Sequence, residues 1–182
     1  MAIKVAAVVG SVRKDSMNLK LVEFMKKRYA DKLEIETVLI NDVPLFNPDL
    51  EDNIPQGAVD FKNKIKHAEA VLFAVPEYNY SIPGSLKNAI DWLSRGGFDL
   101  REKPAFIVGS SMGVLGSVRA QMHFREVLSN PALSPILLPG NEVYIGSVHE
   151  KLDENGDIID SGTLGFLDQV VDNFVVFYNK TV

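Results

Sequence analysis

Three short stretches gather the residue types that hold phosphates and flat rings: GSVRKDSMN at 10–18, PEYNYSIPGSLKNAIDW at 76–92 and GSSMGVLGS at 109–117. The first offers hydroxyls at Ser11 and Ser16, an amide at Asn18 and a guanidinium at Arg13. Such donors suit a phosphomonoester, which is close to dianionic at neutral pH and takes charge-assisted hydrogen bonds. Main-chain N–H groups opening the following helix would add to them. With a single glycine the stretch fails the Gly-x-Gly-x-x-Gly dinucleotide pattern. A plainer reading competes on equal terms, in which Ser16 or Asn18 does no more than cap the helix.

The second stretch follows a buried apolar run, LFAV, and ligands in open α/β sheets sit beyond such strand ends. Pro76 and Pro83 restrict the backbone on either side of it. A rigid loop can hold Tyr78 and Tyr80 against a flat ring while its peptide groups hydrogen-bond the ring's edges. Glu77 then reads as a residue that orders the loop or meets another subunit, rather than as an acid or base. The third stretch has three glycines over eight residues, which permits close backbone approach to a planar cofactor, with serine hydroxyls beside it; taken without the other two loops, a plain turn explains it equally well.

The elements that must position these loops follow from hydrophobic period. Continuous or alternating apolar runs predict strands at 3–10, 33–40, 70–75 and 103–111, with a short one within 134–140. Helical spacing predicts helices at 18–29, 59–68, 117–129 and 163–180, and a further one launched by Pro83. Residues 41–57 and 152–160 read as loops. Strand–helix alternation implies a parallel sheet covered on both faces. Right-handed crossovers place the ends of strands 1, 3 and 4, and hence all three loops, along one sheet edge. No repeat or second domain is visible, so residues 1–182 are expected to form a single domain.

Composition narrows the chemistry. The 182 residues carry a net charge of -5, which argues against a general nucleic-acid surface. There is no cysteine, hence no thiol nucleophile or thiolate-bound metal. No run of 18 apolar residues occurs, and a cytoplasmic location is the default expectation. The histidines at 67, 123 and 149 are scattered, and no metal site is expected of them. Asp153, Asn155 and Asp157 invite a calcium reading, but Gly156 is misplaced for an EF-hand and the closing glutamate is missing, so a surface turn is the better reading.

The motifs GSVRKDSMN, PEYNYSIPGSLKNAIDW and GSSMGVLGSVRA, in this strand–helix order, resemble the NADPH-dependent FMN reductase family over roughly residues 3–180. The resemblance implies a flavodoxin-like three-layer α/β/α sandwich with a five-stranded parallel sheet in the order 2-1-3-4-5. It implies that Ser11, Arg13, Ser16 and Asn18 meet the FMN phosphate. Pro76, Glu77, Tyr78 and Asn79 would run along the isoalloxazine ring, and Ser111, Gly113 and Gly116 would form a second flavin contact. Many members carry two adjacent glycines where this chain has Gly116-Ser117, which puts that local backbone in question. The implied activity is ping-pong: NADPH or NADH gives hydride to FMN and leaves, and a quinone, flavin or similar small electron acceptor takes its place. No catalytic side chain is required, with Tyr78 a candidate substrate contact. Homodimers, or homotetramers built from them, are implied as well. Alternatives are an electron-transfer flavoprotein without nicotinamide turnover, a flavin-dependent redox sensor, and a binding module that has lost FMN, the last opposed by the intact phosphate and ring-loop motifs.

Overall fold

The computed structural model describes residues 1–182. Strands β1 (Ile3–Val9), β2 (Leu33–Leu39), β3 (Ala70–Ala74), β4 (Pro104–Ser110) and β5 (Ile136–Leu137) form a parallel sheet in the order β2-β1-β3-β4-β5. This is the expected flavodoxin-like order. The expected last strand is interrupted, however. Pro139 and Gly140, the latter with φ +65°, end it after Leu137, and a separate strand β6 (Val143–Ile145) resumes the pairing. β5 pairs with Pro104–Ala105 at one end of β4, and β6 with Val108–Ser110 at the other. The two short strands together complete the edge that one strand was expected to supply, so the sheet has six strands.

Helices α1 (Met17–Arg28), α2 (Gln56–His67), α3 (Gly84–Leu93), α4 (Val118–Leu128) and α5 (Ser161–Thr181) cover it. Because successive strand residues point to opposite faces, β1 sends Val5, Ala7 and Val9 to one core and Ala6 and Val8 to the other. On the first face Leu21, Val22 and Met25 of α1 meet Leu167, Val171 and Phe174 of α5. On the second, Phe61, Ile65, Leu86, Ile90 and Phe124 pack from α2, α3 and α4. Fully burying one such side chain stabilises the fold by about 1.5–3 kcal/mol. Every residue of β3 and β4 is buried, as the unbroken apolar runs require.

The loop after β2 lies against α3, where Asn88 Nδ2 and Trp92 Nε1 both donate to the Pro44 carbonyl at 2.9 and 2.8 Å. The 152–160 segment is a turn closed by an antiparallel bridge between Leu152 and Ile158. Asp153 Oδ1 accepts the N–H groups of Asn155 and Asp157 there, so its carboxylate serves the turn. No helix is long and apolar enough to cross a membrane.

Candidate functional site

The loops leaving β1, β3 and β4 meet at one edge of the sheet. Gly10 is what lets the first two touch. A Cβ there would stand 2.8 Å from Leu86 Cδ2 and 2.9 Å from Pro76 Cδ. The result is a groove of about 180 Å³ bordered by Ser11, Arg13, Ser16 and Asn18 from the first loop, Pro76, Glu77 and Tyr78 from the second, and Ser110 and Ser111 from the third.

Helix α1 opens into this groove. Ser16 caps it, its Oγ accepting the Leu19 N–H at 3.2 Å. The N–H groups of Met17 and Asn18 in the same first turn have no intrahelical acceptor and are free to meet an anion. Ser11 Oγ accepts the Arg13 N–H at 3.2 Å and shapes the turn. The Arg13 guanidinium is exposed and only 3.9 Å from Asp15. Lys20, at 2.7 Å, and more weakly Arg13 hold the Asp15 carboxyl below its usual range. Asn18 behaves differently from its neighbours. Its side chain is buried, donates from Nδ2 to the Ser110 carbonyl and accepts the Ser110 N–H at Oδ1, both at 3.0 Å. Its amide is thus spent on joining α1 to the end of β4, and its main-chain N–H is what it can offer a phosphate. Ser110 Oγ, also on the groove, is buried without a hydrogen-bond partner.

The second loop is a tight turn. Tyr78 and Ser81 exchange main-chain hydrogen bonds at 2.9 and 3.0 Å, with Asn79 and Tyr80 between them at φ +51° and +66°. Two consecutive left-handed residues, one of them an aromatic, store strain on the order of 1–3 kcal/mol each, so something must hold them. That element is α4. Glu77 Oε2 accepts the N–H groups of Arg119 and Ala120 at 3.0 and 3.2 Å. The Arg119 guanidinium lies over the Tyr80 ring, 4.0 Å from its centroid. Ser81 Oγ is 2.7 Å from His123 Nδ1. Glu77 thereby caps α4 from a distant loop, where Ser117 at the N-cap position makes no side-chain cap. The negative carboxylate at the positive helix end is a favourable pairing.

Beyond Glu77 and Ser111 the groove continues into a cavity of about 640 Å³, also bordered by Asn79, Gly113, Val114 and Arg119. Gly116 is not on either wall. It packs against the Tyr144–Ile145 backbone, where a Cβ would lie 2.5 Å from the Tyr144 carbonyl carbon. Gly116 and Ser117 both adopt left-handed φ, +58° and +67°. The serine therefore keeps the backbone that a glycine pair would adopt without strain. Of the residues singled out in the sequence, all but Gly116 border these two spaces. Arg119 is not among them, although it lies within GSSMGVLGSVRA; an arginine on a helix carries no signal of what it faces.

The histidines take separate roles: His123 meets Ser81, and His149 sits 3.7 Å from Glu150. No group of three or more His, Asp or Glu side chains converges as a metal site.

Residues 3–150 match the family described as NADPH-dependent FMN reductase. The NADH-dependent flavin reductase subunit 2 of Lactobacillus johnsonii is 42% identical over 183 residues, covering 97% of this chain and 98% of that protein. A quinone reductase of Escherichia coli K12 is 38% identical over 170 residues, covering 91% and 89%. Among solved structures, the NAD(P)H:(acceptor) oxidoreductase FerB from Paracoccus denitrificans superposes with a TM-score of 0.90 at 37% identity, over 99% of both chains.

Proposed function

The chain belongs to the NADPH-dependent FMN reductase family, and on that premise we propose that it is an FMN-dependent NAD(P)H oxidoreductase that reduces a quinone, a flavin or a similar small acceptor. The observation that carries this reading is the continuity of the phosphate-sized groove with the larger cavity through Glu77 and Ser111. One end offers free helix N–H groups, Ser11, Ser16 and Arg13; the other is bordered by Tyr80, Val114 and Leu115. The unpartnered Ser110 Oγ on the groove wall adds a group with hydrogen-bonding capacity to spare. These residues fit FMN: the first-loop donors would hold its phosphate, and the 76–79 segment with Ser111 and Gly113 would flank its ring.

When bound, FMN supplies the hydride chemistry. The protein's part is placement. The first turn of α1 fixes the anionic end, and the strained 78–81 turn, held by α4, keeps one wall rigid. Donor and acceptor use the same cavity in turn. In sum, the nicotinamide gives a hydride, solvent gives a proton, and a quinone becomes a hydroquinone. Glu77 is committed to two α4 N–H groups and needs no proton-transfer role. A homodimer or homotetramer is part of this proposal, supported by the exposure of Tyr80 (71%), Val114 (82%) and Leu45 (82%).

Stopped-flow mixing of FMN-loaded protein with NADH and with NADPH tests the reading. Bleaching of the flavin by at least one donor is expected, followed by reoxidation on adding quinone. Absence of bleaching with both would overturn it in favour of an electron-transfer or sensor protein. The wall can be tested separately. Glu77→Ala is expected to weaken FMN binding about fivefold and to lower stability by about 1 kcal/mol, the usual worth of a helix N-terminal acceptor. Glu77→Gln keeps an acceptor oxygen and is expected to recover most of both. Titration with FMN and urea denaturation read the two quantities; an Ala variant indistinguishable from the parent would show the Glu77 tie to be idle.

A further inference from the structure

The phosphate end of the groove suits an anion, yet its loop carries a carboxylate of its own. Asp15 is the only acid between Gly10 and Asn18, and it stands immediately before Ser16, the cap of α1. That is the positive end of the helix, where the free N–H groups of the first turn also point. The Asp15 side chain is 61% exposed and holds Lys20 Nζ at 2.7 Å. Its contact with Arg13 Nη2 is longer, 3.9 Å, beyond hydrogen-bond reach. Lys20 and, more weakly, Arg13 hold its carboxyl below the usual range, so it is ionised at neutral pH. Arg13 and Ser16 border the groove, whereas Asp15 borders neither the groove nor the larger cavity. Its charge therefore acts on a bound phosphate through space and not by contact. Ser110 is an independent sign of a ligand there: it is 3% exposed, and its Oγ lacks a hydrogen-bond partner on the same groove. Leu45, Tyr80 and Val114, the exposed residues of the subunit proposal, all lie on other segments of the chain.

We propose that Asp15 is a specificity-determining residue that weakens the hold on the FMN phosphate and so narrows the preference for phosphorylated over phosphate-free flavins. The proposal rests on the FMN-dependent reading and deepens it by naming what sets the choice of flavin. Asp15 acts in two ways. It repels the phosphate dianion directly, and it engages Lys20, a cation on the first turns of α1 that would otherwise face the same anion. Riboflavin has the same ring and ribityl chain without the phosphate, so it feels neither effect. Solvent-exposed charges that do not touch interact weakly, and the expected size is about fivefold at low ionic strength.

Fluorescence titration of the flavin-free full chain with FMN and with riboflavin tests this without turnover. D15N is expected to raise the ratio of the riboflavin to the FMN dissociation constant about fivefold, through FMN alone, and D15S to do the same. The gain is expected to vanish in about 1 M salt, where the screening length is about 3 Å. K20Q is expected to lower the ratio. The double variant D15N/K20Q, whose loop and helix start carry the parent's net charge, is expected to return close to the parent value. A ratio unchanged or lowered by D15N would overturn the proposal; a lowered one would show that the carboxylate positions Arg13 for the phosphate. A gain that persists at high salt, or an equal shift for both flavins, would assign Asp15 to the shape of the loop and overturn the proposal too. If neither flavin binds the parent, the FMN-dependent reading falls and the proposal with it. If both bind and the ratio does not move, the proposal alone falls.

Discussion

Replacing Asn18 by leucine is expected to lower the unfolding free energy by about 3 kcal/mol, because it strands two buried main-chain groups at once. Ser110 at the end of β4 has its N–H and its carbonyl both paired with the Asn18 side chain, at 3.0 Å each, in a site where Asn18 itself is only 3% exposed. Leucine is nearly isosteric but can neither donate nor accept. Each group left unpaired costs about 1–3 kcal/mol. The bonds join residues 92 apart in sequence, so the loss is also one of architecture. They fix the N-terminal turn of α1 to the strand that delivers Ser110 and Ser111 to the same groove. FMN affinity is therefore expected to fall together with stability, and by more than tenfold. Urea denaturation of the apoprotein gives the first quantity and fluorescence titration with FMN the second. A stability change within about 0.5 kcal/mol, the range of an ordinary surface substitution, would show that this clamp contributes little.

Much of this arrangement can be read from the chain itself, and the parts that cannot share a cause. The apolar runs at 3–10, 70–75 and 103–111 declare the central strands because both faces of a parallel sheet are covered, and no polar alternation interrupts them. β5, two residues long, lies within the proline-bounded run 134–140 that predicts a short strand, whereas β6 is three residues long, too short for any period to show, and is recognised only by its pairing with β4. Within the site, the residue types that suit a phosphate are visible in GSVRKDSMN, but their division of labour is not. Ser16 caps and Asn18 clamps, and only the position of β4 distinguishes the two. Glu77 shows the same limit. Its carboxylate meets N–H groups 42 and 43 residues further on, a pairing that depends on how α4 is carried by β4. Local composition can say that a glutamate follows a buried strand; it cannot say that a helix end lies opposite.

That dependence makes Gly109→Ala the most telling change at the third loop. Gly109 is the penultimate residue of β4, and a Cβ there would stand 2.0 Å from Ser117 Oγ, 2.6 Å from Gln121 Nε2 and 2.7 Å from the Val75 carbonyl oxygen. None of the three yields easily. Gln121 is fully buried and donates to the Val143 carbonyl at 2.8 Å and to Ser117 Oγ at 3.2 Å. Val75 is buried, with its N–H bonded to the Val108 carbonyl at 2.8 Å. The extra methyl must displace the start of α4 from the sheet, at a cost of about 3 kcal/mol, the upper range for overpacking a tight core. Such a displacement also moves the N–H groups that Glu77 accepts and the guanidinium on Tyr80, so FMN binding is expected to weaken about tenfold or more. Adding Ser117→Gly should separate the contributions. It removes the 2.0 Å contact and replaces a left-handed serine at φ +67° with the residue that adopts this conformation freely. It leaves the contact with the Val75 oxygen untouched. The double variant is therefore expected to regain about half of the lost stability, while Ser117→Gly alone stays within about 1 kcal/mol of the parent, strain relief offsetting the lost bond from Gln121. Denaturation of all three variants closes the cycle. If Gly109→Ala is as stable as the parent, or if Ser117→Gly gives no recovery, the strand–helix junction is looser than these contacts require, and α4 cannot be what holds the 78–81 turn in its strained form.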